Sequence, residues 1–429
     1  MIELILHLLP VVIMLFLLLV GVPVAISLGF AGSIGLLLFF GPDQLFGILL
    51  STPRAETAAY TLSVLPMFIL LAEFVSVSGL ASDVFETGQR WLSHIPGGLA
   101  MATTLANGGF AVLAGSSLAS AATMSRIAVP EMRKYGYNDQ LSMGTVTASG
   151  TFAIMLPPSV ALIIYGVWTE TSIGNLFLAG IVPGILTLVG YLFLILFWVT
   201  IDPDASGEVR SYSWKDRMTS VKKIWPVGII ALFVLGGIYS GAITVVEAGA
   251  VGAASALLVA LTHRTDRNSL YGALDETVTT TSMIFLVIIG AVIFTRYLAF
   301  TGITRQLIDG ITSLPVGELG TTLIVLAVII FLGTFMNQIA ILILLLPVLY
   351  PLFVTNFGYS PIWLGIIMIK SGEIGLVTPP LGMNIYVATS VIDVDIKDAF
   401  RGAAPFIIID LIILGILLAF PDITTILIN

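Results

Sequence analysis

Apolar residues along this chain come in long unbroken runs, without the alternating or three-to-four spacing that marks half-buried elements of a soluble core. The runs lie at 4–20, 23–40, 58–78, 99–130, 139–165, 179–200, 224–240, 244–262, 277–297, 319–354, 362–386 and 403–420. Crossing the hydrocarbon takes roughly 20 apolar residues, so most runs predict one transmembrane helix each. Two fit neither one crossing nor two. The runs 99–130 and 319–354 would supply two arms of about 15 residues, rising only some 22 Å against a core of ~30 Å. Each has small or polar residues near its middle: Gly115-Ser116-Ser117 in one, Gly333 with Asn337-Gln338 in the other. Both predict re-entrant helical hairpins, whose irregular backbone is tolerated only inside protein or beside a wet cavity. The expected fold is an all-α polytopic membrane protein with about ten full transmembrane helices plus the two hairpins.

Charge supplies the orientation. The loops 79–98, 131–138, 201–223, 263–276 and 387–402, with Arg126 in the first hairpin, carry 13 of the 17 Lys and Arg residues. Arg54, Arg296 and Arg305 lie opposite, and Lys370 sits inside a span. The positive-inside rule makes the rich side cytoplasmic and both termini periplasmic. The first run lacks a basic start and a small-residue cleavage site, so it is expected to stay as a span. Only 10% of the 429 residues are charged and 58% are apolar, where a soluble protein is roughly a quarter charged and half apolar. A net charge of −8 without a basic patch argues against nucleic-acid binding, and the absence of cysteine excludes disulfides and thiol chemistry.

The two halves repeat each other. Gly21, Gly29 and Gly32 match Gly241, Gly249 and Gly252 at an offset of 220, which then becomes 222. That second offset aligns Gly136-Tyr137 with Gly358-Tyr359, Ser149-Gly150 with Ser371-Gly372, and Pro157-Pro158 with Pro379-Pro380. Gly180 and Pro183 fall on Gly402 and Pro405. Glycine and proline are common in membrane helices, so one match would mean nothing; this many at fixed offsets predict a repeat. Five crossings plus a hairpin is an odd number, so the second copy must be inverted, a signature of secondary transporters. The halves are expected at 1–200 and 224–429, joined by a cytoplasmic linker at 201–223. The amphipathic segment 81–98 and a counterpart near 298–312 suit the membrane interface as supporting arms.

The candidate chemistry sits where Pro-Pro interrupts a span. Proline removes a backbone donor and clashes with the preceding turn. The runs 139–165 and 362–386 are therefore expected to be broken helices near the bilayer midplane. Freed carbonyls there bind cations, and half-helix N-termini face anions; the bland alternative is a kink satisfied by neighbouring helices. The cation sites are expected at each hairpin tip with its following broken helix. The first would use Gly115, Ser116, Ser117, Ser149, Gly150 and Thr151, and the second Gly333, Asn337, Gly372, Gly375 and Thr378. The anion is expected between the tips, near Ser117, Pro157, Pro158, Ser159, Pro379, Pro380 and Asn384. Intramembrane charges are few: Glu73, Glu247, Lys370, Glu373 and Asp410. Lys370 and Glu373, three apart on one helical face, can pair either as a fixture or in a functional role. His7, His94 and His263 are isolated, giving no proton relay and no metal cluster other than sodium. No nucleotide-binding motif is present. Sodium, held by carbonyls and hydroxyls, is the natural coupling ion. An intramembrane enzyme would need a nucleophile with a base, which the hydroxyls lack, and a passive channel needs no pair of hairpins.

Several stretches carry a family resemblance. They are SVLPMFILLAEFVSVSGL at 63–80, GSSLASAAT at 115–123, PEMRKYGY at 130–137, LPPSVALIIYG at 156–166, YSGAITVVEAGAVGA at 239–253 and IGLVTPPLGMNIYV at 374–387. With these, the chain resembles the large membrane subunit of tripartite ATP-independent periplasmic (TRAP) transporters over almost its whole length. The resemblance implies a sodium-driven elevator in the bacterial inner membrane. It also implies a separate small four-helix membrane subunit and a soluble periplasmic substrate-binding protein. The implied cargo is an organic anion such as a C4-dicarboxylate, sialic acid or another sugar acid. A stand-alone sodium–carboxylate symporter of the wider superfamily is the alternative. One departure is Thr-Val-Val-Glu at 244–247, where the family more often has proline before the glutamate, which bears on the local helix start. An elevator would move the hairpins and broken helices as one body against a scaffold of the remaining spans.

Overall fold

The computed structural model describes residues 2–428, with side chains from His7 onward apart from 111–114. Met1 and Asn429, the outermost ends for which a periplasmic position was expected, lie outside the described residues. Among the described residues nine helical segments are long and apolar enough to cross a bilayer, and no strand is present beyond one isolated bridge between Tyr137 and Ser206.

Local chemistry explains most boundaries. Val24–Thr57 extends well past the expected 23–40 span: Gly41, at φ 83° and ψ 173°, kinks the chain, and Pro42 starts a second helical stretch. Proline lacks only a donor that a helix start would leave unused, so the Gly-Pro pair redirects the helix without ending it. Arg267–Thr301 likewise absorbs most of the expected 263–276 loop, because Asp266 caps it by accepting from Ser269 N at 3.1 Å. Thr244 resolves the departure noted in the sequence. It caps Val245–Thr262 in a capping box, with Glu247 N donating to Thr244 Oγ1 at 3.3 Å and Thr244 N donating to Glu247 Oε2 at 2.8 Å.

The first hairpin consists of Gly98–Ala114 and Ser117–Lys134, and the second of Gly317–Gly333 and Gln338–Tyr350. The arms of the first hairpin have 17 and 18 residues, a rise of about 26 Å, still short of the hydrocarbon core, whereas Gln338–Tyr350 runs on as a π-helical turn to Asn356 and is one of the nine long segments. The first broken helix runs through Asp139–Ser149, Phe152–Met155 and Val160–Trp168. The second, Pro361–Val377, continues unbroken through Ser371-Gly372 and is interrupted only at 378–382 before Met383–Val391. Ser371 and Gly372 are both buried inside that helix, with the Gln338 side chain against Gly372. Both Pro-Pro bonds are cis.

Two packed bodies emerge. Val24–Thr57 lies along Arg267–Thr301, with Ile2–Leu19, Val64–Val77 and Val245–Thr262 around them. Gly32 lets the backbone of Phe294 approach closely, the small-residue contact typical of membrane helices. The second body holds both hairpins and both broken helices. It also includes Ile173–Ile201 and Ile396–Ala419, which the sequence reading left with the scaffold. The reason is again glycine: a Cβ on Gly144 or Gly402 would collide with the facing backbone, so Ile396–Ala419 seats directly on Asp139–Ser149.

An amphipathic arm leads into each hairpin: Leu80–Leu92 after left-handed Gly79, and Ile303–Thr312 after left-handed Gly302. The linker is fully engaged with the first arm and the first hairpin. Asn138 N donates to Ala205 O at 3.2 Å, Glu208 N to Tyr135 O at 2.9 Å, and Arg210 N to Ser93 O at 2.8 Å. Its Trp214–Val221 helix lies on the arm, with Trp91 Nε1 donating to Arg217 O and Thr87 Oγ1 to Ser220 O.

Candidate functional site

Each hairpin turns on a residue whose side-chain oxygen caps the second arm. Ser116 Oγ accepts from Ala119 N at 3.4 Å, and Asn337 Oδ1 accepts from Ala340 N at 2.9 Å. Gly115, left-handed at φ +59°, brings the first tip against Pro158 O and the Val160 side chain at the proline break. Gly150 packs on Ala121 of the hairpin's second arm, where a Cβ would come within 3.2 Å of the Ala121 backbone.

A buried network joins the first hairpin to its broken helix. Asn107 Nδ2 donates to Ser149 Oγ at 2.7 Å and to Val146 O at 3.3 Å, while Asn107 Oδ1 accepts from Ser120 Oγ at 2.9 Å. Ser149, Thr151 and Ser159 each donate their hydroxyl proton to a backbone carbonyl, at 2.5, 2.8 and 2.6 Å. A hydroxyl whose proton is spent this way presents only acceptor lone pairs to anything beyond it, the chemistry a hard cation requires. Ser117 is buried beside this network and Ser116 is exposed.

The second half achieves the same approach with backbone. A Cβ on Gly333 would lie 2.9 Å from Gly375 Cα and 3.1 Å from Gly372 O, so hairpin and broken helix touch main chain to main chain. Gln338 nests against Gly372, its Nε2 donating to Met368 O at 3.4 Å. Thr378 Oγ1 donates to Ile374 O at 2.5 Å. Among the described residues, six buried oxygens of the hairpins and broken helices lack any partner: Ser125 Oγ, Thr145 Oγ1, Gln338 Oε1, Ser371 Oγ, Glu373 Oε1 and Asn384 Oδ1. Such atoms are costly unless something binds them.

The residues expected around the anion divide. Pro157, Pro158 and Ser159 are buried beside the first tip, whereas Pro379 and Pro380 are exposed. Asn384 is fully buried and reaches across to the first half, Nδ2 donating to Thr147 O at 3.2 Å. Sequence reasoning passed over Asn107, Ser120 and Gln338 as site members. A lone amide in a hairpin arm whose other polar side chains are two threonines is the signal that marks Asn107. It likewise paired Lys370 with Glu373 only. The ammonium in fact reaches Asp410 Oδ1 at 2.8 Å, Thr187 Oγ1 at 3.0 Å and Glu373 Oε2 at 3.1 Å. Tyr191 donates to Asp410 Oδ2 at 2.7 Å. This cluster binds Pro361–Val377 to the two closing spans.

Residues 11–423 match the family model described as "Tripartite ATP-independent periplasmic transporter, DctM component". The C4-dicarboxylate TRAP transporter large permease protein DctM of Pseudomonas aeruginosa is 35% identical over 402 residues, covering 93% of this chain and 92% of that one. The sialic acid TRAP transporter large permease protein SiaM of Vibrio cholerae is 30% identical, with 96% of both chains covered. Among solved structures, the YdaH transporter of Alcanivorax borkumensis shares the fold at a TM-score of 0.64 and 15% identity, over 91% of each chain.

Proposed function

The chain belongs to the DctM-component family of tripartite ATP-independent periplasmic transporters, whose named members are transporter permeases and not enzymes, and on that premise we propose that it imports an organic anion together with sodium. The proposed cargo is a C4-dicarboxylate, sialic acid or a related sugar acid. A soluble periplasmic binding protein delivers it, and a separate small four-helix subunit completes the membrane part in the bacterial inner membrane, with both termini periplasmic. The two halves act as inverted repeats around the hairpin tips.

One observation carries the reading: each tip is an oxygen-capped turn pressed on a proline-interrupted helix, amid buried acceptor oxygens that lack partners. Buried oxygens without partners beside the tips suit a hard cation. Packing of both closing spans onto the broken helices supports a single moving body of that composition, sliding along the Val24–Thr57 and Arg267–Thr301 pair. Movement of the whole site avoids opening a continuous pore through the hydrocarbon.

The test is uptake into proteoliposomes holding both membrane subunits, with loaded binding protein outside. Uptake should require an inward sodium gradient and ignore ATP, and Ser116→Ala and Thr378→Ala should each raise the sodium needed. Equal uptake with potassium replacing sodium on both sides would overturn the coupling.

A further inference from the structure

The linker helix Trp214–Val221 has two sides with different neighbours. Toward the first arm, Ser220 is buried and its carbonyl accepts from Thr87, while Arg217 O accepts from Trp91 Nε1. The other side is open. Trp214, Met218 and Val221, at i, i+4 and i+7 on one helical face, are all exposed, Trp214 by 65%. Trp91 packs edge-on against Trp214 with 5.6 Å between ring centroids, so the exposed indole is held in place. Trp225, 60% exposed, then opens the helix Trp225–Ala231, in a segment running to Tyr239 that is long and apolar enough to cross the bilayer. Four residues of chain reach at most about 14 Å, so Val221 cannot lie far from the start of that span. The stripe therefore sits at the membrane surface.

Charge frames it. Lys215 and Lys222 fall about 80–100° round the helix from Trp214, on the aqueous edge of the stripe. Both are exposed and make no ion pair among the described residues. Arg217 borders the stripe on the arm side and is likewise without an ion pair. Lys223 is held by Glu86 at 2.5 Å. Asp216, the one acid in the helix, accepts from Ser213 Oγ at 2.6 Å in the cap. Three unpaired cations around an apolar face, against one capped acid, leave this surface positive. Long basic side chains lay their stems along apolar surface and carry the charge outward. Indoles favour the boundary between headgroups and acyl chains, and an anionic leaflet attracts basic side chains close to it. A protein partner would cover the stripe without calling for a fringe of free cations.

We propose that this face is a docking surface for anionic phospholipid in the leaflet on the linker's side. Trp214, Met218, Val221 and Trp225 enter the boundary between headgroups and chains, and Lys215 and Lys222 bind the anionic headgroups. Because Trp214 rests on Trp91, and the helix backbone accepts from Trp91 and Thr87, the docked surface anchors the first arm to the leaflet.

The test uses fluorophores on single cysteines, Met218→Cys in the stripe and Thr219→Cys on the exposed side away from it, in a chain with no native cysteine. The full chain is reconstituted in phosphatidylcholine bilayers, alone and with the small membrane subunit. The quenchers are iodide in the water and phospholipids with a nitroxide high on the acyl chain, under either a phosphatidylglycerol or a phosphatidylcholine head. The label at 218 should be quenched by lipid and shielded from iodide, and the label at 219 should show the reverse. The phosphatidylglycerol probe should half-quench 218 at about a fivefold lower lipid fraction than the phosphatidylcholine probe. Lys215→Gln with Lys222→Gln should bring the two probes together and leave the label at its depth. Equal quenching by both heads in the unmutated fringe would overturn the headgroup recognition. A label at 218 open to iodide would mean that the stripe faces water, and one shielded from every quencher once the small subunit is added would make it a protein interface; either overturns the proposal. Neither sodium nor cargo enters the readout, so a failure here is distinct from a failure of the transport reading.

Discussion

Replacing Gly333 with alanine tests the second cation site through its geometry alone. The new Cβ would stand 2.9 Å from Gly375 Cα, where carbon contacts settle at roughly 3.5–4.0 Å. Because the obstacle is backbone, no side chain can swing aside. The hairpin arm must retreat from the broken helix by about 0.6–1 Å, at a cost of about 1–3 kcal/mol. That gap opens between Gly333, Gly372 O and Gly375, where the carbonyls proposed to hold sodium converge. With the strain on the bound state, half-maximal sodium activation of uptake should rise about five- to 140-fold, since 1.4 kcal/mol is tenfold. Gly415→Ala is the control: its Cβ would meet nothing within 4 Å, and alanine inside a helix is neutral or slightly stabilising. Uptake against sodium concentration, with thermal melting at low and high sodium, separates weaker binding from general destabilisation. If Gly333→Ala matched Gly415→Ala in both assays, the close approach would have no part in sodium binding.

Two further outcomes follow from the same body. Asn107→Ala and Ser149→Ala should be coupled in a double-mutant cycle read by thermal stability, by about 0.6–1.7 kcal/mol for one interhelical hydrogen bond in a membrane; strict additivity would mean that the 2.7 Å contact contributes nothing. A Ser116→Cys and Leu37→Cys pair, clean to place in a chain without cysteine, should cross-link in one transport state only. A yield indifferent to sodium and substrate would argue for a local gate over a sliding body.

The hairpins were legible because length alone makes 99–130 and 319–354 misfits, and the proline breaks because Pro-Pro leaves a helix few options. Helix continuity was not. Gly41-Pro42 reads as a terminator, yet proline is at home in a first turn, and apolar residues in 44–50 supply enough burial to resume the helix. The composition of the second packed body was hidden as well, since Ile173–Ile201 and Ile396–Ala419 are as apolar as lipid-facing spans. The Gly144–Gly402 contact and the Lys370–Asp410 pair assign the second of them. Within the site, periodicity cannot tell whether Lys370 faces Glu373 alone or Asp410 forty residues on. Long-range partners of a buried charge are a tertiary fact.

Two grips of the linker have a mechanical consequence. Glu208 holds Tyr135 at the base of the first hairpin, and Arg210, two residues later, holds Ser93 at the end of the first arm. Two residues of chain reach at most about 7 Å, so there is no slack between these anchors. The arm's far end is therefore tied to the hairpin's base, and its near end is fixed where Gly79, at φ +82°, joins it to Val64–Val77. The arm is in effect a lever with its fulcrum at Gly79 and its load at Ser93. Under the proposed sliding, a stroke of the hairpin would swing it like a crank, and the angle swept would be the angle Gly79 must absorb.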